Sequence, residues 1–206
     1  MTQTAPLTEH QQFLNRYYGA SRHIYDLTRK YYLLGRDPTL QSLLKEDWRT
    51  LVEIGPGTGR NLVKLHQKRP QASYFGIEAS DAMLEVAQRK CPFARIVPGL
   101  AEQVDIATAI GARPDRILFS YCLSMVEDPR RALENAQRAL APGGHVVVVD
   151  FGEGEGLPGW FRGTLESWLN AFRVHPIAHR RYRDWGATSH SAWGGYVIFA
   201  RLAAPA

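Results

Sequence analysis

Three glycines at alternate positions follow an acidic residue in the stretch Glu53-Ile54-Gly55-Pro56-Gly57-Thr58-Gly59. Without a Cβ, such glycines let the backbone turn sharply and let a ligand approach the main chain. The apolar run Leu51–Ile54 predicts a strand before them, and residues 61–68 predict a helix after them. In α/β proteins, ligands bind at such strand-to-helix turns. The stretch therefore predicts a ligand-binding loop, and the alternative is a glycine-rich structural turn.

The spacing of these glycines excludes the dinucleotide fingerprint Gly-x-Gly-x-x-Gly. Counted from Gly55, the third glycine would fall on Arg60, and counted from Gly57 it would fall on Leu62. A second acidic residue, Glu78, ends the predicted strand 73–77, about twenty residues past the loop. A carboxylate at this place can accept hydrogen bonds from both ribose hydroxyls of an adenosine. The pattern therefore favours an adenosine ligand other than a dinucleotide.

Strands and helices alternate from residue 51 onwards, which is the sequence pattern of a parallel sheet. Ser80 and Asp128-Pro129 mark the starts of two predicted helices. The second of these helices would bury one face, made of Ala132, Leu133, Ala136, Ala139 and Leu140. A further helix with large aromatic residues is expected over 160–172. The predicted strands are 51–54, 73–77, 94–97, 116–122, 145–151 and 196–202, with one more within 187–193.

Residues 17–36 predict an amphipathic helix with two distinct faces. Gly35 is expected to end this helix, with Arg36 just past the end. A second short helix is expected over Leu40–Leu44. The polar face is interpreted either as a solvated surface, with guanidinium groups stacked on rings, or as a lid over a pocket. Its tyrosines and arginines are Tyr18, Arg22, Tyr25, Arg29, Tyr32 and Arg36.

Length and composition indicate a single globular domain. The chain has 206 residues, of which 45% are hydrophobic and 22% are charged. Cys91 and Cys122 lack the spacing of a metal site, so free thiols, a cytoplasmic location and no metal are expected. The net charge of +5 favours anionic partners such as acidic lipid surfaces or nucleic acid.

These motifs together resemble those of class I S-adenosylmethionine (SAM)-dependent methyltransferases. The glycine loop resembles their first motif, Glu78 their ribose-binding acid, and Leu140-Ala141-Pro142-Gly143-Gly144 their turn before the fifth strand. The resemblance implies an α/β fold, with a Rossmann-like seven-stranded, mostly parallel sheet, helices on both faces and an antiparallel last strand. It also implies one methyltransferase domain over 1–206, made of an N-terminal helical lid (1–48) and a SAM-binding core (49–206).

SAM is the cofactor that the resemblance implies, and S-adenosylhomocysteine is the product. Related methyltransferases often have Gly-Asp-Ala-Glu after the third strand, where this chain has Leu100 in place of the aspartate. Adenine contacts are therefore expected from the main chain at Ala101 and from Glu102. The residues expected to bind SAM are Tyr25, Arg36, Glu53, Gly55, Gly57, Gly59, Glu78, Ala79, Met83, Ala101, Glu102, Ser120 and Tyr121.

A narrower resemblance covers residues 22–37, together with 160–161, 168–169 and 172–176. These stretches look like the bacterial methyltransferases of betaine-lipid synthesis, which trimethylate the amine of diacylglyceryl-homoserine. The resemblance implies an amine-bearing lipid acceptor, a homoserine head group, and lipid biosynthesis as the process. Tyrosine rings and phenols can hold a cationic amine, and an arginine can pair with a carboxylate. The candidates for acceptor positioning are Tyr25, Tyr32 and Tyr121, with Arg29 or Arg36 for the carboxylate.

A lipid acceptor implies contact with an anionic membrane surface. The basic segment His175–Arg183 and the apolar stripe of the N-terminal helix would then dock a cytoplasmic, peripheral protein at the inner membrane face. For the basic segment, a solvated loop is the alternative.

Three rival functions stay open. The first is an N- or O-methyltransferase for a soluble small molecule, and the second is a SAM-binding protein without turnover. The third is a nucleic-acid methyltransferase. Against that third function, the fourth strand ends in Ser120-Tyr121-Cys122-Leu123, where an Asn/Asp-Pro-Pro-Tyr motif would be expected, so no nucleic-acid partner is expected.

Overall fold

One seven-stranded sheet runs through the protein, in the strand order β3-β2-β1-β4-β5-β7-β6. The structure is a computed structural model that describes residues 33–205. Strands β1 to β5 are parallel, and β7 runs antiparallel to both of its neighbours. The strands are β1 Thr50–Ile54, β2 Ser73–Glu78, β3 Ala94–Pro98, β4 Arg116–Ser120, β5 His145–Phe151, β6 Thr188–Ala192 and β7 Val197–Ala203. The Rossmann-like prediction is confirmed, and β6 lies within the predicted range 187–193.

Helices cover both faces of this sheet because successive strand residues point to opposite sides. Leu51 and Leu118 pack with α1, α2 and α3 on one face. Val52 and Ile117 pack with α4, α5 and α7 on the other face, while α6 lies over the carboxyl end of β5. The helices are α1 Arg36–Leu44, α2 Arg60–Lys68, α3 Asp81–Lys90, α4 Ile106–Ile110, α5 Pro129–Ala139, α6 Gly159–Ala171 and α7 His179–Asp184.

The predicted helix starts are confirmed by their caps. The Ser80 hydroxyl accepts a hydrogen bond from the Met83 N–H at the start of α3. The Asp128 side chain accepts one from the Arg131 N–H at the start of α5, where Pro129 is the first residue. The face of α5 that was predicted to be buried is 6% exposed at most.

Two predicted boundaries are wrong. Strand β4 ends at Ser120 rather than at residue 122, because Tyr121 adopts a left-handed backbone with φ 56° and the chain leaves the sheet. Helix α1 begins at Arg36 rather than at residue 40, so Arg36 is the first residue of a helix. Gly35 packs so closely on β5 and β7 that a Cβ would lie 2.7 Å from side-chain carbons of Val149 and Val197. Residues 33–35 are not helical, and residues 17–32 of the predicted helix lie outside the described residues.

The basic segment is partly helical rather than a loop. Residues 179–184 form α7, whose Tyr182 ring is fully buried against the sheet. Within residues 33–205, no helix is long and apolar enough to cross a membrane. In the same range, no group of three side chains is arranged to hold a metal ion.

Candidate active site

A pocket opens at the carboxyl ends of β1, β2 and β4, beside the glycine loop. Of the residues predicted to bind SAM, Gly59 does not line the pocket. It directly precedes α2, and a Cβ at this position would collide with the sulfur of the buried Cys91. Tyr25 and the acceptor candidate Tyr32 lie outside the described residues. The other predicted residues all line the pocket: Arg36, Glu53, Gly55, Gly57, Glu78, Ala79, Met83, Ala101, Glu102, Ser120 and Tyr121.

All three glycines of the loop have left-handed backbones. Their φ angles are 63° at Gly55, 57° at Gly57 and 79° at Gly59. A side chain is strained in this region, so the turn depends on glycine. At Gly55 a Cβ would also lie 2.9 Å from the Cβ of Cys122. The loop therefore brings bare main chain to the edge of the pocket.

Glu78 fixes this loop as well as lining the pocket. Its Oε2 accepts a hydrogen bond from the Gly57 N–H at 2.9 Å, and its Oε1 accepts one from the Ser80 N–H at 3.0 Å. Burial raises the pKa of Glu78, and these two bonds oppose the shift. Each carboxylate oxygen keeps a second lone pair, to which ribose hydroxyls can donate. The clamp on the loop was not foreseen from the sequence, because it joins backbone groups that no motif marks.

Glu53 and Asn61 leave two buried acceptor atoms without partners. Glu53 is 1% exposed, and its Oε1 accepts a hydrogen bond from the Asn61 Nδ2 at 2.6 Å. Neither the Glu53 Oε2 nor the Asn61 Oδ1 has a hydrogen-bond partner. Burial raises the pKa of Glu53 to about 8, against the Asn61 hydrogen bond and the charge of Arg36. Unpartnered buried acceptors are costly, so this corner favours a cationic donor in a ligand.

The pocket fits the amino-acid part of SAM. An ammonium group can donate to the two orphaned oxygens beside Glu53, and Arg36 offers a guanidinium group for a carboxylate. Arg36 is 8% exposed and lines the same pocket. Asn61 was missed by the sequence analysis, although its place in the first turn after the glycine loop is a usable signal.

One wall of the pocket contains the residues that were predicted to contact adenine. Leu100 and Glu102 line the wall, and both are 8% exposed. The side-chain amide of Asn135 on α5 donates to the carbonyl oxygens of Ala101 and Val104, at 2.8 and 2.6 Å. This wall therefore offers an apolar surface and a main chain that is held in place.

Tyr121 joins the pocket to the segment before α1. Its hydroxyl accepts a hydrogen bond from the Gly35 N–H at 3.2 Å, and its ring meets the Phe151 ring edge-on at 4.7 Å. Burial raises the pKa of Tyr121 well above its usual value, so the phenol stays neutral and cannot act as a base near neutral pH. Its role in positioning the acceptor stays a prediction.

Asp150 holds the short 3-10 turn Leu123–Met125 that follows β4. It is fully buried and accepts hydrogen bonds from the Ser124 hydroxyl at 2.7 Å and the Ser124 N–H at 3.0 Å. Met125 on this turn lines the pocket. Cys122 also lines the pocket, and its thiol donates to the Ile54 carbonyl at 3.0 Å. Neither Asp150 nor this turn was foreseen from the sequence.

Residues 52–146 match a family model described as a methyltransferase domain. Over these residues the chain is similar to methyltransferase domains. The match includes the glycine loop, Glu78 and the adenine wall, and it ends in β5. The class of SAM-dependent methyltransferases inferred from the motifs is therefore confirmed, with SAM as the cofactor of the domain.

Curated relatives of this methyltransferase domain differ in what they methylate. A dTDP-4-amino-2,3,4,6-tetradeoxy-D-glucose N,N-dimethyltransferase from Saccharopolyspora spinosa is 30% identical over 146 residues, which are 71% of this chain and 53% of the relative. A trans-aconitate 2-methyltransferase from Deinococcus radiodurans is 34% identical over 111 residues, which are 53% of this chain and 41% of the relative. The chain thus spans about half the length, or less, of these relatives.

Solved structures share the fold of this methyltransferase domain over nearly its whole length. A possible histamine N-methyltransferase from Thermotoga maritima has a TM-score of 0.71 at 20% identity, over 96% of this chain and 100% of that chain. The plantazolicin methyltransferase BpumL, solved with a substrate analogue and S-adenosylhomocysteine, has a TM-score of 0.68 at 14% identity, over 95% of each chain.

Proposed function

We propose that this chain is a SAM-dependent N-methyltransferase that methylates the amine of a homoserine lipid head group to give a betaine lipid. The observation that carries the activity is the orphaned acceptor pair of Glu53 and Asn61 beside the glycine loop. The narrower resemblance of residues 22–37 supports the lipid acceptor. The N,N-dimethyltransferase relative supports an amine as the methylated group.

Most of the proposed site serves to hold SAM in one orientation. SAM, when bound, supplies an activated methyl group on its sulfonium. Glu53 and Asn61 would hold the ammonium group, Arg36 the carboxylate and Glu78 the ribose. Methyl transfer is an in-line displacement, so correct placement of donor and acceptor accounts for most of the acceleration.

The acceptor amine would enter between Tyr121 and the turn that carries Met125, which both line the pocket. The neutral phenol of Tyr121 can contact a cationic amine through its oxygen or ring, and we assign the same role to Tyr25 and Tyr32. An attacking amine needs its lone pair, so the amine must lose a proton before each transfer. Asp150 keeps the turn in place through its hydrogen bonds to Ser124.

Transfer of label from SAM to lipid tests this proposal. Purified protein would be incubated with methyl-labelled SAM and vesicles that contain diacylglyceryl-homoserine, and the extracted lipids would be read by mass spectrometry. We expect labelled lipid, and none with Gly57→Val protein or with a matched lipid that lacks the amine. The lipid acceptor is refuted if free homoserine is labelled and the lipid is not.

A soluble acceptor is the second candidate, because a relative acts on the amine of a nucleotide-linked sugar and another is a trans-aconitate 2-methyltransferase. On this alternative the entrance beside Tyr121 would admit a diffusible molecule. Competition separates the two candidates, since a soluble acceptor at saturation would suppress the labelling of lipid only if it occupies the same site.

A further inference from the structure

The large apolar side chains that are exposed within residues 33–205 all lie at one end of the molecule. Leu34 precedes Gly35, whose N–H donates to Tyr121 at the carboxyl end of β4. Helix α6 follows the carboxyl end of β5. The exposed side chains, with 36 to 77% of their surface accessible, are Leu34, Trp160, Phe161, Trp168 and Trp193.

The turn between β6 and β7 brings Trp193 to the same end. Because β7 runs antiparallel to β5, this turn lies beside the carboxyl end of β5. The carbonyls of Gly194 and Gly195 accept hydrogen bonds from the N–H groups of Gly156 and Gly154, both at 3.0 Å. These glycines tie the turn to the link between β5 and α6. The exposed aromatic residues therefore sit on segments that are bonded to one another.

The rest of the protein buries little of the apolar face of helix α6. At about 100° per residue, Trp160, Phe161, Leu165, Trp168 and Leu169 share one half of the helix. Only Leu169 is buried in this 13-residue helix. Trp160, at 77% exposed, and Phe161, at 39%, extend the apolar half away from the protein. A helix with a partly covered apolar half is typical of a surface that meets something else.

A row of aromatic rings joins this surface to the pocket. The Trp168 ring lies 6.5 Å from that of Phe151, and the Phe151 ring lies 4.7 Å from that of Tyr121, which lines the pocket. A molecule held at the outer end of this row is therefore beside the acceptor entrance.

Helices α6 and α7 lie in a basic stretch of the chain, which follows the acidic residues Glu153 and Glu155 of the link after β5. Residues 159–184 contain five arginines and two acidic residues, so they account for +3 of the net charge of +5. Arg162 on α6 and Arg180 on α7 are exposed. The His175 N–H donates to the Ser124 carbonyl at 2.9 Å, which places the start of the basic segment at the pocket end. Arginines beside tryptophans complement an anionic bilayer surface.

We infer that this end of the molecule is a membrane-docking face, in which Trp160, Phe161 and Trp193 enter the interface of an anionic bilayer and the pocket entrance faces the lipids. The inference rests on the proposed function for its choice of a lipid acceptor, but docking itself needs no turnover. Tryptophan side chains favour the interface because one end of the ring system is apolar and the other is polar.

Vesicle binding of the whole protein tests the docking face. Sedimentation with vesicles of phosphatidylglycerol and phosphatidylcholine would compare the wild type with Trp160→Ser/Phe161→Ser and with Trp193→Ser. We expect the double variant to lose about tenfold or more of its vesicle partitioning, since two large apolar side chains no longer leave water. The matched control is Ser167→Ala/Asn170→Ala on the opposite, exposed half of α6, which should change partitioning by less than about twofold.

Fluorescence gives a second readout with the same proteins. Lipids brominated on the upper part of their chains should quench wild-type tryptophan emission, and each tryptophan variant should lose part of this quenching. Binding of S-adenosylhomocysteine and the melting temperature would show that each variant is folded. Equal partitioning of the wild type and the double variant, or a wild type that ignores anionic vesicles, overturns the inference. So does a dimer in sedimentation equilibrium that the double variant abolishes while vesicles are ignored, because the face is then a protein interface.

Failure of the proposed function is distinguishable from failure of this face. A wild type that binds vesicles through Trp160 and Phe161, but leaves every lipid unlabelled, supports the docking face and refutes the lipid acceptor. A double variant that labels vesicle lipid as fast as the wild type overturns the docking face and supports the lipid acceptor.

Discussion

Glu53 is the residue whose protonation is most tightly linked to the ligand. Burial raises its pKa to about 8 in the free protein, so the carboxyl group is largely protonated at pH 6 to 7. A ligand ammonium group beside the carboxylate would lower this pKa again, because an opposite charge favours the ionised form. Binding should therefore release a proton.

We predict that the affinity for S-adenosylhomocysteine rises as the pH rises from about 6 to about 8, by up to tenfold per pH unit. Calorimetry in buffers of different ionisation enthalpy should show about one proton released at pH 6.5. Glu53→Gln keeps an acceptor for Asn61 and should abolish this release. Proton release that persists in Glu53→Gln would assign the linkage to another group.

Glu78 connects the ligand to the loop, so its substitution should affect both. Glu78→Gln replaces one acceptor oxygen by an amide that cannot accept from the Gly57 or Ser80 N–H. We predict a loss of about 1–3 kcal/mol in SAM binding together with a lower melting temperature. Glu85→Gln, on the exposed side of α3, is the matched control and should leave both unchanged. A lower melting temperature with unaltered affinity would make Glu78 a structural residue only.

Among single substitutions, we expect one in the glycine loop to cause the largest loss of SAM binding. Gly57→Val places a branched side chain at φ 57°, where it is strained, and beside the approach of the ligand to the main chain. We expect SAM binding to be abolished while the protein still folds, since the loop lies at the pocket edge. Calorimetry and a thermal melt measure the two quantities, and unchanged affinity would contradict the loop assignment.

Helix α1 depends on the close approach of Gly35 to the sheet. Gly35→Ala would push a methyl group to 2.7 Å from Val149 and Val197 carbons, and should destabilise the protein by about 1–3 kcal/mol. Gly163→Ala on α6 is the matched control, because nothing lies within 4 Å of its Cβ position and alanine favours a helix. Chemical denaturation measures both, and equal stability of the two variants would contradict this packing.

Local sequence patterns predicted the presence of helices and strands better than the residues at which they end. Short apolar runs predicted the strands, and Ser80 and Asp128 predicted helix starts, because each of these signals acts within a few residues. The end of β4 and the turn held by Asp150 depend on partners such as Ser124, which is 26 residues away in sequence. Similarly, the orphaned oxygens beside Glu53 become visible only once α2 is folded against β1.

The buried carboxyl groups make the stability of the whole molecule pH-dependent. The pKa of Glu53 is raised to about 8 in the fold, so the folded state binds a proton that the unfolded chain releases above its ordinary pKa of 4.5. Such a group stabilises the fold fully below the unfolded pKa, and this contribution is lost as the pH rises towards 8.

We therefore predict that the free energy of unfolding of the wild type, taken relative to Glu53→Gln, falls as the pH rises from about 5 to about 7. The slope should be about 1 kcal/mol per pH unit. Urea denaturation at several pH values measures it. A difference that stays constant with pH would mean that Glu53 is ionised in the free protein.

The raised pKa values of both native thiols have a practical consequence for labelling chemistry. Burial raises the pKa of Cys91 to about 11 and that of Cys122 well above its usual value, so neither forms much thiolate near neutral pH. A single cysteine introduced at Ser167 on the exposed half of α6 would therefore react with a maleimide dye almost alone. Such a dye would report the distance of α6 from a bilayer without any change to the residues that line the pocket.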